Sequence, residues 1–251
     1  MRCKKLVGYL DDYLRVEEID DKSQNGLQVE GPDRVSKIAF AVDGCQASFE
    51  QAIAEAAQLL IVHHGLFWSE PQCLIGPRFQ RVRRLIEGEC SLYAVHLPLD
   101  AHPQVGNNAE MARLLRLEDT RPFGEYQGLE IGISGTIDPP VDLPGLIGRL
   151  VEALGTTPLR VLDYGPAEVR CVGCVSGGAA SMVDQAEEAG LDAYITGEPS
   201  HAYFHQAAER GLNVLYAGHY ATETLGLKAL AGHLEDRFEL ETVFLDIPTG
   251  M

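Results

Sequence analysis

The segment Ala57-Gln58-Leu59-Leu60-Ile61-Val62-His63-His64-Gly65 decides the fold. Four apolar residues run into two adjacent histidines and then a glycine. An apolar run of this length, bounded by polar residues and containing β-branched side chains, reads as a short strand buried in a parallel sheet. Successive side chains of a strand point to opposite faces. Two neighbouring histidines therefore serve one site only where the strand ends, and Gly65 leaves the backbone free to turn. The carboxyl ends of parallel strands are where open α/β sheets place their ligands. The expectation is a paired metal site in which His63 and His64 each hold a different ion.

On the N-terminal side, the stripe Leu6, Val7, Leu10, Tyr13 and Leu14 predicts an amphipathic helix over 3–14. Asn25-Gly26 signals a turn. Strands follow over 27–29 and 38–42, then an Ala- and Glu-rich helix over 47–57. On the C-terminal side, 65–71 is a loop carrying Phe67 and Trp68. A helix over 78–87 holds Arg78, Arg81, Arg83 and Arg84, read as a solvated face. A strand over 92–95 ends at His96, 97–100 turns away, and 107–115 is a helix with an asparagine cap.

The pattern restarts after Gly124. A strand over 129–137 is broken by Pro139-Pro140. Asp142 caps a helix that has Pro144 in its first turn and ends at Gly155. Strands over 158–162 and 169–175 lead to Ser176-Gly177-Gly178 and a helix ending at Gly190. The order then runs strand 193–196, helix 200–210, strand 213–217, helix 219–234 and strand 240–247. This alternation predicts an α/β fold of two lobes with mainly parallel sheets. The first lobe is expected over 1–124 with His63, His64 and Asp100. The second is expected over 125–251, with the 219–251 end packing back on the first lobe and supplying His219 and Glu223.

The two halves repeat. Ala41-Val42-Asp43-Gly44 matches Cys174-Val175-Ser176-Gly177, each a strand end before a helix. Twenty residues after Asp43 and after Ser176 the next strand ends, at His63-His64-Gly65 and at Thr196-Gly197-Glu198. Further on, Leu92-Tyr93-Ala94-Val95-His96 matches Leu215-Tyr216-Ala217-Gly218-His219. An acid stands four residues after each histidine, Asp100 and Glu223. Such self-similarity marks a duplicated unit. The second copy has lost the histidine pair, so one metal centre per chain is expected rather than two.

The composition fits a soluble globular protein of 251 residues, with 45% hydrophobic and 23% charged residues. A net charge of −17 counts against a nucleic-acid backbone or an anionic membrane as partner. No run approaches a membrane span, and the N-terminus has no apolar h-region. The six cysteines are scattered in a chain large enough not to need staples, which points to a reduced, cytoplasmic protein. Cys171-Val172-Gly173-Cys174 falls in a strand without a second pair, so it reads as structural.

His63, His64, His96, Asp100, His219 and Glu223 all fall at strand ends or in the turns after them. If the strands are neighbours, these groups converge on one crevice. Imidazole with carboxylate suits zinc, manganese, iron, cobalt or nickel. Five or six such ligands exceed the needs of one tetrahedral ion and match two ions about 3.5–4 Å apart. His102, His201, His205 and His233 lack this placement and read as structural or surface residues, with His201 and His205 candidates for supporting the ligands. Ser176-Gly177-Gly178 is a weak candidate phosphate turn.

Several motifs together carry a family resemblance. They are Asn25-Gly26-Leu27-Gln28-Val29-Glu30-Gly31, Ile61-Val62-His63-His64-Gly65, His96-Leu97-Pro98-Leu99-Asp100-Ala101-His102, Gly106-Asn107-Asn108-Ala109, Ile195-Thr196-Gly197-Glu198 and Gly218-His219-Tyr220-Ala221-Thr222-Glu223. Over residues 5–249 the chain resembles the Nif-three-like dinuclear metal-centre proteins, also known as homologues of type-two GTP cyclohydrolase I. It is most similar to the short bacterial YbgI-type members. The resemblance implies two similar, intertwined α/β/α lobes and a ring-shaped homohexamer with its metal centres facing an internal cavity. It implies His63 and Asp100 on one ion, His64 and His219 on the other, and Glu223 bridging. His96 is then a proton-transfer or supporting group.

The leading functional expectation is a cytoplasmic hydrolase with two divalent metal ions per chain. Its nucleophile would be a hydroxide bridging the ions, acting on a small-molecule substrate such as a nucleotide. In the cyclohydrolase case the purine ring opens at C8. The competing readings are a phosphoesterase or amidohydrolase on another small substrate, and a non-catalytic metal-binding ring that acts as scaffold or regulator.

Overall fold

A computed structural model describes residues 1–251. In chain order the elements are α1 (Cys3–Tyr13), β1 (Gly26–Val29), β2 (Lys37–Asp43), α2 (Gln46–Ala54), β3 (Leu59–His64), α3 (Gly76–Glu87), β4 (Ser91–Ala94), α4 (Leu97–Asp100), α5 (Asn107–Leu115), β5 (Glu118–Tyr126), β6 (Leu129–Asp142), α6 (Leu143–Leu154), β7 (Arg160–Asp163), β8 (Glu168–Val175), α7 (Val183–Glu188), β9 (Ala193–Thr196), α8 (Phe204–Arg210), β10 (Asn213–Tyr216), α9 (His219–Phe238) and β11 (Glu241–Phe244). No helix is long and apolar enough to cross a membrane.

The chain divides into two compact units. One is Met1–Leu99 with Leu227–Ile247, and the other is Asp100–Gly226 with Pro248–Met251. The division therefore falls at 99/100 rather than at the expected 124/125. Residues 100–124 group with the second unit because α5 packs on α6 and β6, and β5 pairs with β6.

The first unit holds a five-stranded sheet in the order β1-β4-β3-β2-β11. The pairs β11–β2, β2–β3 and β3–β4 are parallel, and β1 joins β4 antiparallel at the edge. Strand β3 is central, and Leu59, Leu60, Ile61 and Val62 have no exposed surface. Burying each such side chain contributes roughly 1.5–3 kcal/mol, so the strand that carries the histidine pair is also a main anchor of this core.

The second unit holds a six-stranded sheet in the order β5-β6-β8-β9-β10-β7. Strands β8, β9 and β10 are parallel, whereas β6 and β7 pair antiparallel to their neighbours. The series β2-β3-β4-β1 of the first sheet and β8-β9-β10-β7 of the second have the same order. In each, the antiparallel edge strand comes earlier in the chain than the three parallel strands. The duplication read from the sequence is thus repeated in the topology.

Three local expectations are corrected. Strand β5 has no counterpart in the sequence pattern, because Glu118–Arg121 are exposed and polar and Pro122 interrupts it. It forms as an edge strand, where proline is tolerated, and a tight hairpin at Gln127-Gly128 joins it to β6. Strand β6 continues past Pro139-Pro140 to Asp142, because a register shift in its pairing with β8 absorbs the prolines. Helix α5 is entered through Gly106, without an asparagine side-chain cap.

Candidate metal centre

In the first unit, His63 and His64 end β3. The parallel register sets Asp43, the last residue of β2, opposite His64. Asp43 Oδ1 is 2.9 Å from His64 Nδ1, and the backbone oxygen of Val95 is 2.9 Å from His63 Nδ1. Gly65 is small for a reason other than turning. A Cβ there would lie 2.5 Å from Ala94 Cβ and from Gln28 Nε2.

His96 follows β4. Its Nδ1 is 3.0 and 3.1 Å from the two oxygens of Asp21. Asp21 also accepts from the Ser23 and Leu97 backbone N–H groups and from Asn25 Nδ2. Burial would raise the Asp21 carboxyl. The hydrogen bond and charge of His96, then Asn25 and Ser23, outweigh it and hold the group down to about 2. The rings of His63, His64 and His96 cluster, with centroids 4.9 Å (63–64), 5.0 Å (63–96) and 5.7 Å (64–96) apart. A ligand nitrogen from each lies within 4.8 Å of the others. Trp68 stands edge-on to His96 with centroids 5.0 Å apart. The structure therefore draws His96 into the histidine cluster.

In the second unit, His219 opens α9 and Glu223 follows one turn later, on the same face. His219 Nε2 is 2.9 Å from Glu223 Oε1, and its Nδ1 is 2.7 Å from Glu198 Oε1. Burial would lower the imidazole's pKa. The hydrogen bonds and charges of Glu223 and then Glu198 reverse this and push it up to about 9. Asp100 is buried at the end of α4. Its Oδ1 accepts from Asn107 Nδ2 at 2.8 Å and from Ser176 Oγ at 2.7 Å.

Gly177 sits at φ +66°, where a Cβ would come 2.5 Å from Glu223 Oε1. The turn around it has few donors left for a phosphate: Ser176 N–H donates to Asn108, Gly177 N–H to Thr222 and Ala179 N–H to Thr196. His102 Nδ1 accepts from the backbone of Gln104 and Val105, a local structural role. His201 and His205 are exposed and form no hydrogen bond with His219, Glu223 or Asp100.

The sequence reading missed Asp21, Asp43, Glu198 and Ser176 as supporting residues. Asp43 and Ser176 were visible as equivalent strand ends, and Glu198 as the residue after Thr196-Gly197. Nothing local marks Asp21, which meets His96 across 75 residues of chain.

The profile of the family described as Duf34/NIF3 (NGG1p interacting factor 3) matches residues 1–250. The chain belongs to the Duf34/NIF3 family. Among relatives of this Duf34/NIF3 chain is a Deinococcus radiodurans protein named GTP cyclohydrolase 1 type 2 homolog. It is 44% identical over 247 residues, covering 98% of this chain and 94% of the relative. The Pyrococcus abyssi protein of the same name is 43% identical over the whole of both chains. Among solved structures, TTHA1606 from Thermus thermophilus superposes with a TM-score of 0.92 at 45% identity, covering all of both chains. The protein ybgI, described as of unknown function, superposes at 0.93 with 38% identity and the same coverage.

The donor set fits a metal. His63, His64 and His219 each engage Nδ1 with a backbone or carboxylate oxygen. This is how metal-ligating histidines are commonly oriented, and it leaves Nε2 as the atom that could coordinate. The carboxylate near His219 Nε2 supplies the harder ligand that divalent first-row ions accept alongside imidazole.

Proposed function

We propose that this Duf34/NIF3 protein is a hydrolase with a dinuclear metal centre. In this reading His63, His64, Asp100, His219 and Glu223 would between them hold two divalent ions. The observation that carries it is that four imidazoles, His63, His64, His96 and His219, each have Nδ1 tied to a protein oxygen, which leaves Nε2 of each for a metal or a proton. Bound there, two divalent ions would supply a hydroxide nucleophile near neutral pH.

The chain's own residues have distinct tasks. Asp43 and Glu198 fix the rings of His64 and His219, and Asn107 and Ser176 fix Asp100. Asp21 holds Nδ1 of His96, so Nε2 of that ring is the atom that exchanges a proton with the reacting groups. The relatives' shared name supports a nucleotide substrate, and hydrolytic opening of a purine ring with release of formate is the corresponding reaction. The reading includes a homohexameric ring, supported by the resemblance alone, and a cytoplasmic location, supported by the scattered cysteines.

The test is elemental analysis together with formate release from GTP by purified, metal-loaded protein. Two ions per chain and turnover that His64→Ala and Glu223→Ala abolish are expected. Two ions without turnover on GTP or on a panel of phosphate esters and amides would favour the metal-binding scaffold. Undiminished turnover in both variants would overturn the assignment.

A further inference from the structure

A second cavity lies within the second unit, lined by no member of the proposed ligand set. It has a volume of about 410 Å³, within the usual range for a small-molecule site. Its floor is the end of the sheet. In the antiparallel pair of β7 and β10, Arg160 is opposite Tyr216 and Leu162 is opposite Val214. Residues directly opposite each other share a face, and residues two apart on a strand do too. Arg160, Leu162 and Tyr216 therefore rise from one face and all line the cavity. Pro199 and Ser200, just beyond the end of β9, form one wall, and His201 and Phe204 form another. The cavity thus stands at the carboxyl ends of β9 and β10, where α/β sheets hold ligands.

The polar groups of this cavity lack protein partners. Arg160 and His201 form no hydrogen bond or ion pair through their side chains. Both are exposed, so their side chains are free to meet a ligand at this opening. The Tyr216 hydroxyl is buried with no hydrogen-bond partner. Leu159, half exposed at the rim, with Leu162 and Phe204, offers apolar surface for a flat ring.

We propose that this cavity binds a small molecule made of a planar ring carrying one anionic group, a carboxylate or a phosphate monoester. The ring packs against Leu159, Leu162 and Phe204. The anion accepts from the Arg160 guanidinium, His201 lies at the same opening, and the Tyr216 ring, in register with Arg160, backs the site. One guanidinium in a strongly acidic protein favours a single compact anion over a polyanion. The site goes beyond the hydrolase reading and does not depend on it.

Calorimetric titration of the purified protein tests this, using benzoate and phenyl phosphate as probes and uncharged benzamide as control. Each titration is run on metal-loaded and on chelator-stripped protein. Saturable binding of at least one anionic probe is expected, stronger than that of benzamide and unchanged by stripping. Binding of benzoate alone assigns a carboxylate ligand, and binding of phenyl phosphate alone assigns a phosphate ester. Arg160→Gln should weaken binding by about tenfold, the effect of losing one charge-assisted contact. Tyr216→Phe should leave binding unchanged, because its hydroxyl is closed off from the cavity. Absence of binding by both probes at millimolar concentration, or affinity untouched by Arg160→Gln, would overturn the proposal. Binding lost on stripping the metal would also overturn it, by moving the ligand to the metal centre.

Discussion

Asp43 Oδ1 stands 2.9 Å from His64 Nδ1, at the last rung of the pairing between β2 and β3. The carboxylate fixes both the rotation of the ring and the nitrogen that carries its proton. Asp43→Asn or Asp43→Ala leaves the strand intact and loosens the ring. Metal affinity should fall by about 10- to 100-fold, the usual loss when such a supporting partner is removed. Competition with a chromophoric chelator reads this directly. Unchanged affinity with a native circular dichroism spectrum would show that Asp43 does not position His64.

Glu198 stands in the same relation to His219 in the second unit. Glu198→Gln keeps an oxygen near Nδ1 but removes the charge, so its loss of metal affinity should be smaller than that of Glu198→Ala. Isothermal titration with a divalent ion measures the difference, and equal losses in both variants would count against a positioning role for the Glu198 oxygen.

Gly177→Ala should damage the centre without touching a ligand. The added Cβ would lie 2.5 Å from Glu223 Oε1, at a φ of +66° that alanine rarely adopts. A loss of about 1–3 kcal/mol in stability is expected from such strain. Urea unfolding gives the stability, and metal content gives the displacement of Glu223. A variant with parental values for both would contradict the close approach.

Asp21 makes stability depend on pH. Its carboxyl is held down to about 2 from an ordinary 3.8, so the folded protein binds this proton less readily than the unfolded chain. Its contribution is present above the unfolded value and is lost as pH falls through 3.8 towards about 2. A shift of that size corresponds to on the order of 2 kcal/mol. Asp21→Asn should therefore destabilise at neutral pH, with a gap from the parent that narrows in acid. Paired urea titrations at about pH 7 and about pH 3.5 test the sign, and a gap independent of pH would reject it.

The readable parts of the chain are those where the signal is local. Leu59–His64 announces a buried strand by its own apolarity, and Asp142 with Pro144 announces a helix start that the structure confirms through the bond from Gly145 N–H to Asp142. The repeat of His-x-x-x-acid pointed to both His219 and Glu223. The illegible parts depend on partners far away in sequence. Strand β5 exists because β6 pairs with it, and its own exposed residues carry no alternation. Asp21 reads as one acid in a polar run until the fold brings His96 against it. The Ser176 turn looked like an anion cradle because its donors were visible in sequence and the Asn108, Thr222 and Thr196 side chains that occupy three of them were not.

Strand β11 follows all the strands of the second sheet in the chain, yet it pairs with β2, which precedes them. Until β11 arrives, β2 is a bare edge strand with Ile38 to Val42 wholly apolar, the kind of edge that invites pairing with other chains. A ribosome therefore cannot release the first unit finished and then start on the second. The first sheet is sealed only after Phe244 has emerged, by which time every strand of the second unit's sheet has been made. During synthesis the protein carries an open sticky edge for longer than a chain of two successive domains would, and its early folding intermediates are the stage at which chaperones have most to protect.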